Sequence, residues 1–297
     1  MHMHQLKRKA AHTPHRPGRL GLWLNSLPHS KWIFPVYQSR QLYLVENDVT
    51  SEKLPRVLHG LKIAYASDIH YGALLDDARV EDLAERLNAL EADIILFGGD
   101  YGEDAAHTLQ MFKKLPPLKA KLAVCGVIGN HDRAEATAQE LILAMEKCGI
   151  TPLVNSTLTL EMDGKKLCIC ATDDLSHGDP AFREVKEQVL GADYVIFAPH
   201  SPDALEAARE EGAGDFYDLA LCGHTHGGQV AFFGFAPYTA SLYGERYGNM
   251  YLSGEIEEDD GAQIIISNGV GTTWMPVRVG APPQYHLITL RRARPER

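Results

Sequence analysis

Five short motifs in this chain place metal-ligand side chains beside turn-forming residues or at the ends of apolar runs. One such motif would mean little, because a lone histidine in a loop is usually an ordinary surface or core residue. Five motifs together predict a site for two metal ions, and therefore phosphate ester chemistry. The motifs are Asp68-Ile69-His70, Gly98-Gly99-Asp100, Gly129-Asn130-His131, Pro199-His200 and Gly223-His224-Thr225-His226.

The types of ligand narrow the choice of metal. Imidazole nitrogens and carboxylate oxygens without thiolates suit manganese, iron or zinc better than calcium or magnesium, and we take manganese as the favoured ion. Seven candidate ligands are too many for one tetrahedral zinc ion. They suit two divalent ions about 3.5–4 Å apart that share a bridging carboxylate.

Each motif directly follows an apolar run that predicts a β-strand. In open α/β sheets, ligands bind at the carboxyl ends of the strands. We therefore expect five loops to converge on one edge of the fold and to form the metal site there. The runs that precede the motifs are Leu61–Ser67, Asp93–Phe97, Leu122–Ile128, Tyr194–Phe197 and Leu219–Cys222.

Predicted helices alternate with strands in the first half of the chain, which indicates an α/β fold with parallel β-α-β units. The later part is richer in strands. We expect a basic, loosely structured extension over residues 1–40 and a single domain over residues 41–297. The predicted helices are Val80–Leu90, Ala105–Leu115, Ala134–Cys148, Phe182–Leu190 and Pro202–Glu211. The further strands are Gln41–Val45, Leu158–Met162, Leu167–Cys170, Gln229–Phe233, Gln263–Ser267 and Tyr285–Leu290.

The charge argues against a protein that binds nucleic acid in bulk. The formal net charge is −10, although an anionic substrate stays compatible with bound divalent cations. The first 19 residues depart from this balance, since they contain no acid. We predict a disordered, solvated tail, with attraction to an anionic membrane surface as the alternative. Its basic residues are Lys7, Arg8, Lys9, Arg16 and Arg19.

Cysteine usage and the amino-terminal sequence predict a cytoplasmic protein, with peripheral membrane contact as the alternative. The five cysteines form no C-x-x-C pair and are typical of reduced thiols. Cys168 and Cys170 should share one face of a strand. The basic start is not followed by the apolar core of a signal peptide. The apolar runs at residues 20–24 and 32–37 are too short to span a bilayer.

Taken together, the motifs resemble those of the calcineurin-like metallophosphoesterases, over roughly residues 60–290. The segments Gly227-Gly228-Gln229, Asn268–Thr273 and Pro276-Val277-Arg278 are most similar to the bacterial YkuE/YaeI-type phosphodiesterases. The resemblance implies a four-layer α/β/β/α sandwich with two central mixed β-sheets and a metal site at the carboxyl ends of the strands.

The same resemblance implies a role for each motif residue. His131 would contact the phosphate and protonate the leaving oxygen. Glu103 would orient His131, with an ordinary surface carboxylate as the alternative. Asp100 would bridge two ions. One ion would be held by Asp68, His70 and His226, and the other by Asn130, His200 and His224.

The segment from residue 232 to residue 251 is rich in aromatic side chains. It is predicted either to pack across a sheet edge or to form an apolar flap that grips a lipid tail or touches a bilayer. Arg246 and Arg278 are candidate contacts to a phosphate or diphosphate group of the substrate.

The resulting prediction is a dinuclear metal-dependent phosphohydrolase. It would cleave phosphodiester or phosphoanhydride bonds of a small phosphorylated substrate by attack of a metal-activated hydroxide. One alternative is a lipid pyrophosphate hydrolase of the UDP-2,3-diacylglucosamine type at the membrane surface. A different class is a non-catalytic scaffold on the same fold, which should lack ligands or His131, whereas this chain has them all.

Overall fold

The computed structural model describes residues 17–27, 31–231, 236 and 251–293. Two β-sheets form the centre of the fold. The strands in chain order are β1 (Tyr43–Ser51), β2 (Lys62–Ala66), β3 (Ile94–Phe97), β4 (Ala123–Gly126), β5 (Thr151–Pro152), β6 (Ser156–Met162), β7 (Lys165–Ala171), β8 (Tyr194–Phe197), β9 (Leu219–Cys222), β10 (Gly254–Glu257), β11 (Gln263–Ile266) and β12 (Gln284–Arg292).

The helices of the described residues lie mainly between these strands. Three of them begin with a side chain that accepts a hydrogen bond from the first turn: Asp76, Asp104 and Thr137. The helices are α1 (Arg19–Asn25), α2 (Phe34–Ser39), α3 (Asp77–Ala89), α4 (Ala105–Lys114), α5 (Asn130–Arg133), α6 (Ala138–Lys147), α7 (Phe182–Gln188) and α8 (Asp203–Glu210).

Both sheets are mixed and have six strands each. The first has the order β1-β12-β2-β3-β4-β5, and the second has the order β10-β11-β9-β8-β7-β6. Three pairs are antiparallel, namely β12 with β2, β6 with β7, and β10 with β11. The remaining pairs are parallel, so the carboxyl ends of β2, β3 and β4 lie at one edge of the first sheet, and those of β8 and β9 at one edge of the second.

Successive side chains of each strand point to opposite faces of its sheet, and both faces of each sheet are packed. Ile63 and Tyr65 of β2 pack in a core shared with Leu167 and Ile169 of β7, between the two sheets. The opposite face of the first sheet packs under α3, α4 and α6, and that of the second under α7 and α8. The predicted four-layer α/β/β/α sandwich is therefore confirmed, because each sheet buries both faces.

The predicted bounds of strands agree best with the structure where a strand is buried on both faces. The bounds of β8 and β9 are those predicted. The hairpin between β6 and β7 turns at Asp163 and Gly164, which both have positive φ, as a type I′ turn requires. The sequence did not predict β10, a mostly exposed edge strand. Of the predicted strand Gln229–Phe233, the described part contains only an isolated bridge at Val230.

None of the helices in the described ranges is long and apolar enough to cross a membrane. The five cysteines are free thiols. Cys168 and Cys170 both lie in the core beneath α7 and α8, as their shared strand face predicts.

Candidate metal centre

Loops from both sheets meet at one edge of the molecule and bring the predicted ligands together. Neighbouring ligand atoms lie within hydrogen-bonding distance across chain separations as large as 156 residues. In the first sheet, Asp68 follows β2, Asp100 follows β3 and Asn130 follows β4. In the second sheet, His200 follows β8, and His224 and His226 follow β9.

The backbone at these loops is unusual. Ten non-glycine residues of the described chain have positive φ, and five of them are predicted ligands. This conformation costs about 1–3 kcal/mol for a residue with a Cβ atom, and it persists where the surrounding structure enforces it. The five ligands are Asp68 (φ +52°), His70 (+49°), Asp100 (+54°), His224 (+70°) and His226 (+53°).

Asp68, His70 and His226 form what we call the inner cluster. Nε2 of His70 lies 3.0 Å from Nε2 of His226, which lies 3.7 Å from Oδ1 of Asp68. All three residues are at most 1% exposed. Two nitrogens and a carboxylate oxygen at this spacing could hold one divalent ion.

Asn130, His200 and His224 form the outer cluster. Oδ1 of Asn130 lies 3.1 Å from Nε2 of His200 and 2.9 Å from Nδ1 of His224. Nδ1 of His200 donates to the carbonyl oxygen of Gly98 at 2.7 Å, which leaves Nε2 to face the cluster. Asn130 is partly exposed, so this cluster lies nearer to solvent.

Asp100 lies between the two clusters. Its Oδ2 is 3.5 Å from Nε2 of His70 in the inner cluster and 3.4 Å from Nε2 of His200 in the outer cluster. Its Oδ1 accepts a hydrogen bond from the backbone N–H of His131 at 2.9 Å. One carboxylate thus faces both clusters, which is the arrangement that a bridging ligand needs.

His131 lies beside Asp100 and is partly exposed. Its ring packs edge-on against that of His70, with the centroids 4.7 Å apart. Nδ1 of His131 donates to the backbone carbonyl of Glu103 at 2.9 Å. The carboxylate of Glu103 instead accepts from the N–H of Leu74. Glu103 therefore contacts His131 through its main chain rather than through the predicted side chain.

Arg278 lies behind the inner cluster instead of facing the substrate. It is 0% exposed, and Nη2 lies 3.1 Å from Nδ1 of His226. The guanidinium donates to backbone carbonyls of His226, Asn268, Gly271 and Ala281. Its position is that of a support for His226, and a phosphate could not reach it. Nothing in the sequence around Arg278 indicates that this charged side chain is buried.

The other predicted substrate contact, Arg246, lies outside the described residues. The same holds for most of the aromatic segment 232–251, although Tyr251 is described and buried. Residues 1–16 of the basic segment also lie outside.

A family model for the calcineurin-like phosphoesterase superfamily domain matches residues 61–231 of this chain. The chain belongs to this superfamily. As a metallophosphoesterase, it is a hydrolase of phosphate esters, and its family uses divalent metals. The matched region contains all seven predicted ligands.

Two bacterial relatives are similar over most of their length. The metallophosphoesterase YkuE of Bacillus subtilis is 30% identical over 255 residues, which cover 83% of this chain and 84% of YkuE. Phosphodiesterase YaeI of Escherichia coli is 31% identical over 233 residues, covering 77% and 82% respectively. Among solved structures, a dimetal phosphatase from Danio rerio is 10% identical, with a TM-score of 0.43, and the match covers 71% of this chain and 88% of that one.

Asp132 of this metallophosphoesterase organises the loops without facing the clusters. It is 0% exposed. Oδ2 accepts from the N–H groups of Gly129 and Asp100, and Oδ1 accepts from Tyr101 N–H and from the hydroxyl of Thr108. Asp132 directly follows the motif Gly129-Asn130-His131, but the sequence indicated no role for it. Its four hydrogen bonds join the loops that carry Asp100 and Asn130.

Glycines allow these loops to approach each other closely. Gly99 has φ +90°, and a Cβ atom there would lie 2.7 Å from the amide nitrogen of Gly129 and 2.8 Å from Nδ1 of His200. A larger residue would therefore push the Asp100 loop away from the outer cluster.

Burial and neighbouring charges set the ionisation of the ligands. Burial lowers the pKa of His70 to about 3 and that of His224 to about 4, which keeps both imidazoles neutral. Burial also acts on His200, but the Asp100 carboxylate outweighs it and raises the pKa of His200 to about 10. Protonation and metal binding therefore compete at His200.

Proposed function

We propose that this metallophosphoesterase hydrolyses phosphodiester or phosphoanhydride bonds with two divalent ions, one at each cluster. The observation that carries the proposal is the position of Asp100, whose Oδ2 lies within 3.5 Å of a histidine nitrogen in each cluster. The inner ion would be held by Asp68, His70, His226 and Asp100, and the outer ion by Asn130, His200, His224 and Asp100.

The donor atoms fit such ions. They are imidazole nitrogens, carboxylate oxygens and one amide oxygen, without sulfur, and this mixture favours manganese, iron or zinc. We take manganese as the first ion to test. When bound, two such ions polarise the phosphoryl oxygens and lower the pKa of a water molecule toward neutrality.

His131 would bind the phosphate and move a proton. Because Nδ1–H donates to the carbonyl of Glu103, Nε2 is the ring atom that can exchange a proton with the substrate. The fixed ring orientation and partial exposure favour transfer of this proton to the leaving oxygen. The carbonyl oxygen also stabilises the protonated ring, since it can accept only.

The test begins with protein purified without chelator. Metal content is measured, and turnover of bis(p-nitrophenyl) phosphate and of the monoester is compared with added Mn²⁺, Fe²⁺ or Zn²⁺. We expect about two ions per chain, with cleavage of the diester that is lost on adding chelator. Less than one ion, with no turnover under any added metal, would overturn the proposal.

Two substitutions test the residues. Asp100→Asn and His131→Ala should each lower turnover more than about 100-fold, while the thermal unfolding curve shows a folded protein. Asp82→Asn is a matched control, because this carboxylate lies on the surface of α3 and pairs with the exposed Arg86. Turnover retained in both Asp100→Asn and His131→Ala would refute the site.

A lipid-linked phosphate ester is a second candidate substrate. Exposed large apolar side chains concentrate between residues 20 and 44. Asn25 and Pro35 of this segment form hydrogen bonds with Ala73 and Arg278, which lie beside the metal centre. A small water-soluble diester does not require such a surface.

A further inference from the structure

Large apolar side chains are exposed in one region of the described chain far more than elsewhere. Of eleven such residues, seven lie between residues 20 and 44. We call these seven the docking face. Single exposed apolar residues are normal on protein surfaces, whereas a group of this size marks a contact surface. The residues are Leu20, Leu22, Trp23, Trp32, Phe34, Tyr43 and Leu44.

The two helices that carry most of this face are held together. Nη2 of Arg40, after α2, donates to the carbonyl of Asn25 at 2.6 Å, and Nη1 donates to that of Leu27 at 3.1 Å. These carbonyls lie at the end of α1. Leu20 and Trp23, one turn apart on α1, are exposed together, while Gly21 packs against the backbone of Trp274. The apolar residues of α1 and α2 therefore belong to one rigid surface.

The docking face lies at the same edge as the metal centre. Nδ2 of Asn25 donates to the carbonyl of Ala73, three residues after His70. The N–H of Arg278, the residue behind His226, donates to the carbonyl of Pro35 at 3.0 Å.

Strand register extends this placement to β1. Tyr43 begins β1 and pairs with Gln284, which begins β12. Since β12 runs antiparallel to β2, its first residues lie at the carboxyl end of β2, beside Asp68. Tyr43 and Leu44 are thus at the metal edge as well. By contrast, the exposed Leu122 and Leu190 precede β4 and β8, at the opposite edge.

Charge identifies the occupant of the docking face. Residues 1–45 contain seven lysines and arginines and no acid, so all 39 acidic residues come later in the chain. Tryptophan and leucine beside cations match the interface of a bilayer with anionic lipids. A two-fold contact with a second copy would instead place cations against cations. Of these seven cations, Arg19, Lys31 and Arg40 belong to the described residues.

We infer that the docking face seats this protein on an anionic lipid bilayer, with the metal centre at the bilayer-facing edge. The substrate would then be a phosphate ester of a lipid, and this part of the inference rests on the proposed function. The apolar side chains contribute free energy of binding because they move from water into the bilayer. Each cation near the anionic lipid surface adds about 1 kcal/mol of attraction.

The tryptophans provide a direct test in the unmodified chain. The chain has three tryptophans. Trp23 and Trp32 belong to the docking face, and Trp274 lies beside it, against Gly21. The full-length protein is mixed with vesicles of brominated phosphatidylcholine, with or without phosphatidylglycerol. Tryptophan fluorescence should be quenched with the anionic vesicles and recover in high salt. Unchanged fluorescence with both kinds of vesicle, or equal quenching by both, would overturn the inference.

Substituted variants show which residues contact the bilayer. Their binding is measured by sedimentation with vesicles of the same lipid mixtures, made from lipids without bromine. Trp23→Ser combined with Phe34→Ser should weaken binding to anionic vesicles at least about tenfold. Leu190→Ser is the matched control, because Leu190 is more exposed but lies at the opposite edge. Equal binding by the double variant and the wild type would contradict the inference. So would a wild-type dimer that the double variant converts to monomers.

Turnover of water-soluble bis(p-nitrophenyl) phosphate separates this inference from the proposed function. It should be unchanged in the Trp23→Ser/Phe34→Ser variant, which also shows that the variant is folded. Vesicle binding without turnover would refute the phosphodiesterase, whereas turnover without vesicle binding would refute only the docking face.

Discussion

The inner and outer clusters use similar side chains in different surroundings. Asp68, His70 and His226 are buried, and Arg278 supports them from behind through backbone carbonyls. The outer cluster includes the partly exposed Asn130 and adjoins the partly exposed His131. The inner cluster is thus part of the core, whereas the outer cluster opens to solvent.

This difference divides structural and chemical tasks between the clusters. A carboxylate in the inner cluster is buried and needs a cation or hydrogen bonds to compensate for lost hydration. Asp68 accepts two contacts from the N–H of His224, so the inner cluster also positions the outer one. We expect changes to the inner cluster to affect folding and activity, and changes to the outer cluster to affect mainly activity.

The largest loss of turnover should come from substituting the metal ligands themselves, and one ligand of each cluster is compared. Asp68→Ala removes an anionic inner ligand and the acceptor for His224, and should reduce turnover about 1000-fold or more. Asn130→Ala removes a neutral, partly exposed ligand and should cost about 100-fold. Turnover with Mn²⁺ and metal content are measured for both. Equal metal loss and equal thermal stability in the two variants would remove the distinction between the clusters.

Arg278→Met should strongly lower the stability of the fold. The change leaves several buried carbonyls without their donor, and we expect a loss of about 3 kcal/mol or more in the free energy of unfolding. Urea denaturation measures this loss. Arg86→Met, which breaks an exposed pair with Asp82 and a contact with Tyr285, should cost about 1 kcal/mol or less. If Arg278→Met raised KM and left stability unchanged, Arg278 would be a substrate contact after all.

The buried support beneath the inner cluster extends to His286 and should give stability a pH dependence. Asn268 bonds to Gln284, and Gln284 contacts Nε2 of His286. Nδ1 of His286 donates to Oδ1 of Asn47, and Nε2 accepts from the side-chain amide of Gln284, so the ring is neutral. Burial lowers its pKa to about 4.

The imidazole of His286 takes up a proton near pH 6.5 in the unfolded chain, but only near pH 4 in the folded protein. The stability of the fold therefore falls as the pH drops from 6.5 to 4. From pH 7 to pH 5 the loss should be about 2 kcal/mol. Urea midpoints at the two pH values should differ less in His286→Gln. An identical pH dependence in that variant would show that other groups cause it.

The smallest effect should follow from Glu103→Gln. The backbone carbonyl of Glu103 orients His131, and this carbonyl survives the substitution. Turnover should change by less than about threefold, because the side chain makes no direct bond to the histidine that would act as acid. His131→Ala is the comparison. A loss of a hundredfold in Glu103→Gln would assign the orienting role to the carboxylate.

The sequence by itself determined the ligand types and their placement after apolar strands. Buried strands such as β8 have continuous apolar runs, which is why their bounds were predictable. The exposed edge strand β10 lacks such a run, and β1 extends through the charged residues Glu46 and Asp48, so periodicity could not define them.

Only the tertiary structure decided which groups meet. His70 and His226 are 156 residues apart, and their contact depends on the order of strands in two sheets. The burial of Arg278, the carbonyl of Glu103 beneath His131 and the common edge of the docking face and the metal centre follow from the same order. Local sequence reports which face of a segment is apolar, but the partners across that face come from distant parts of the chain.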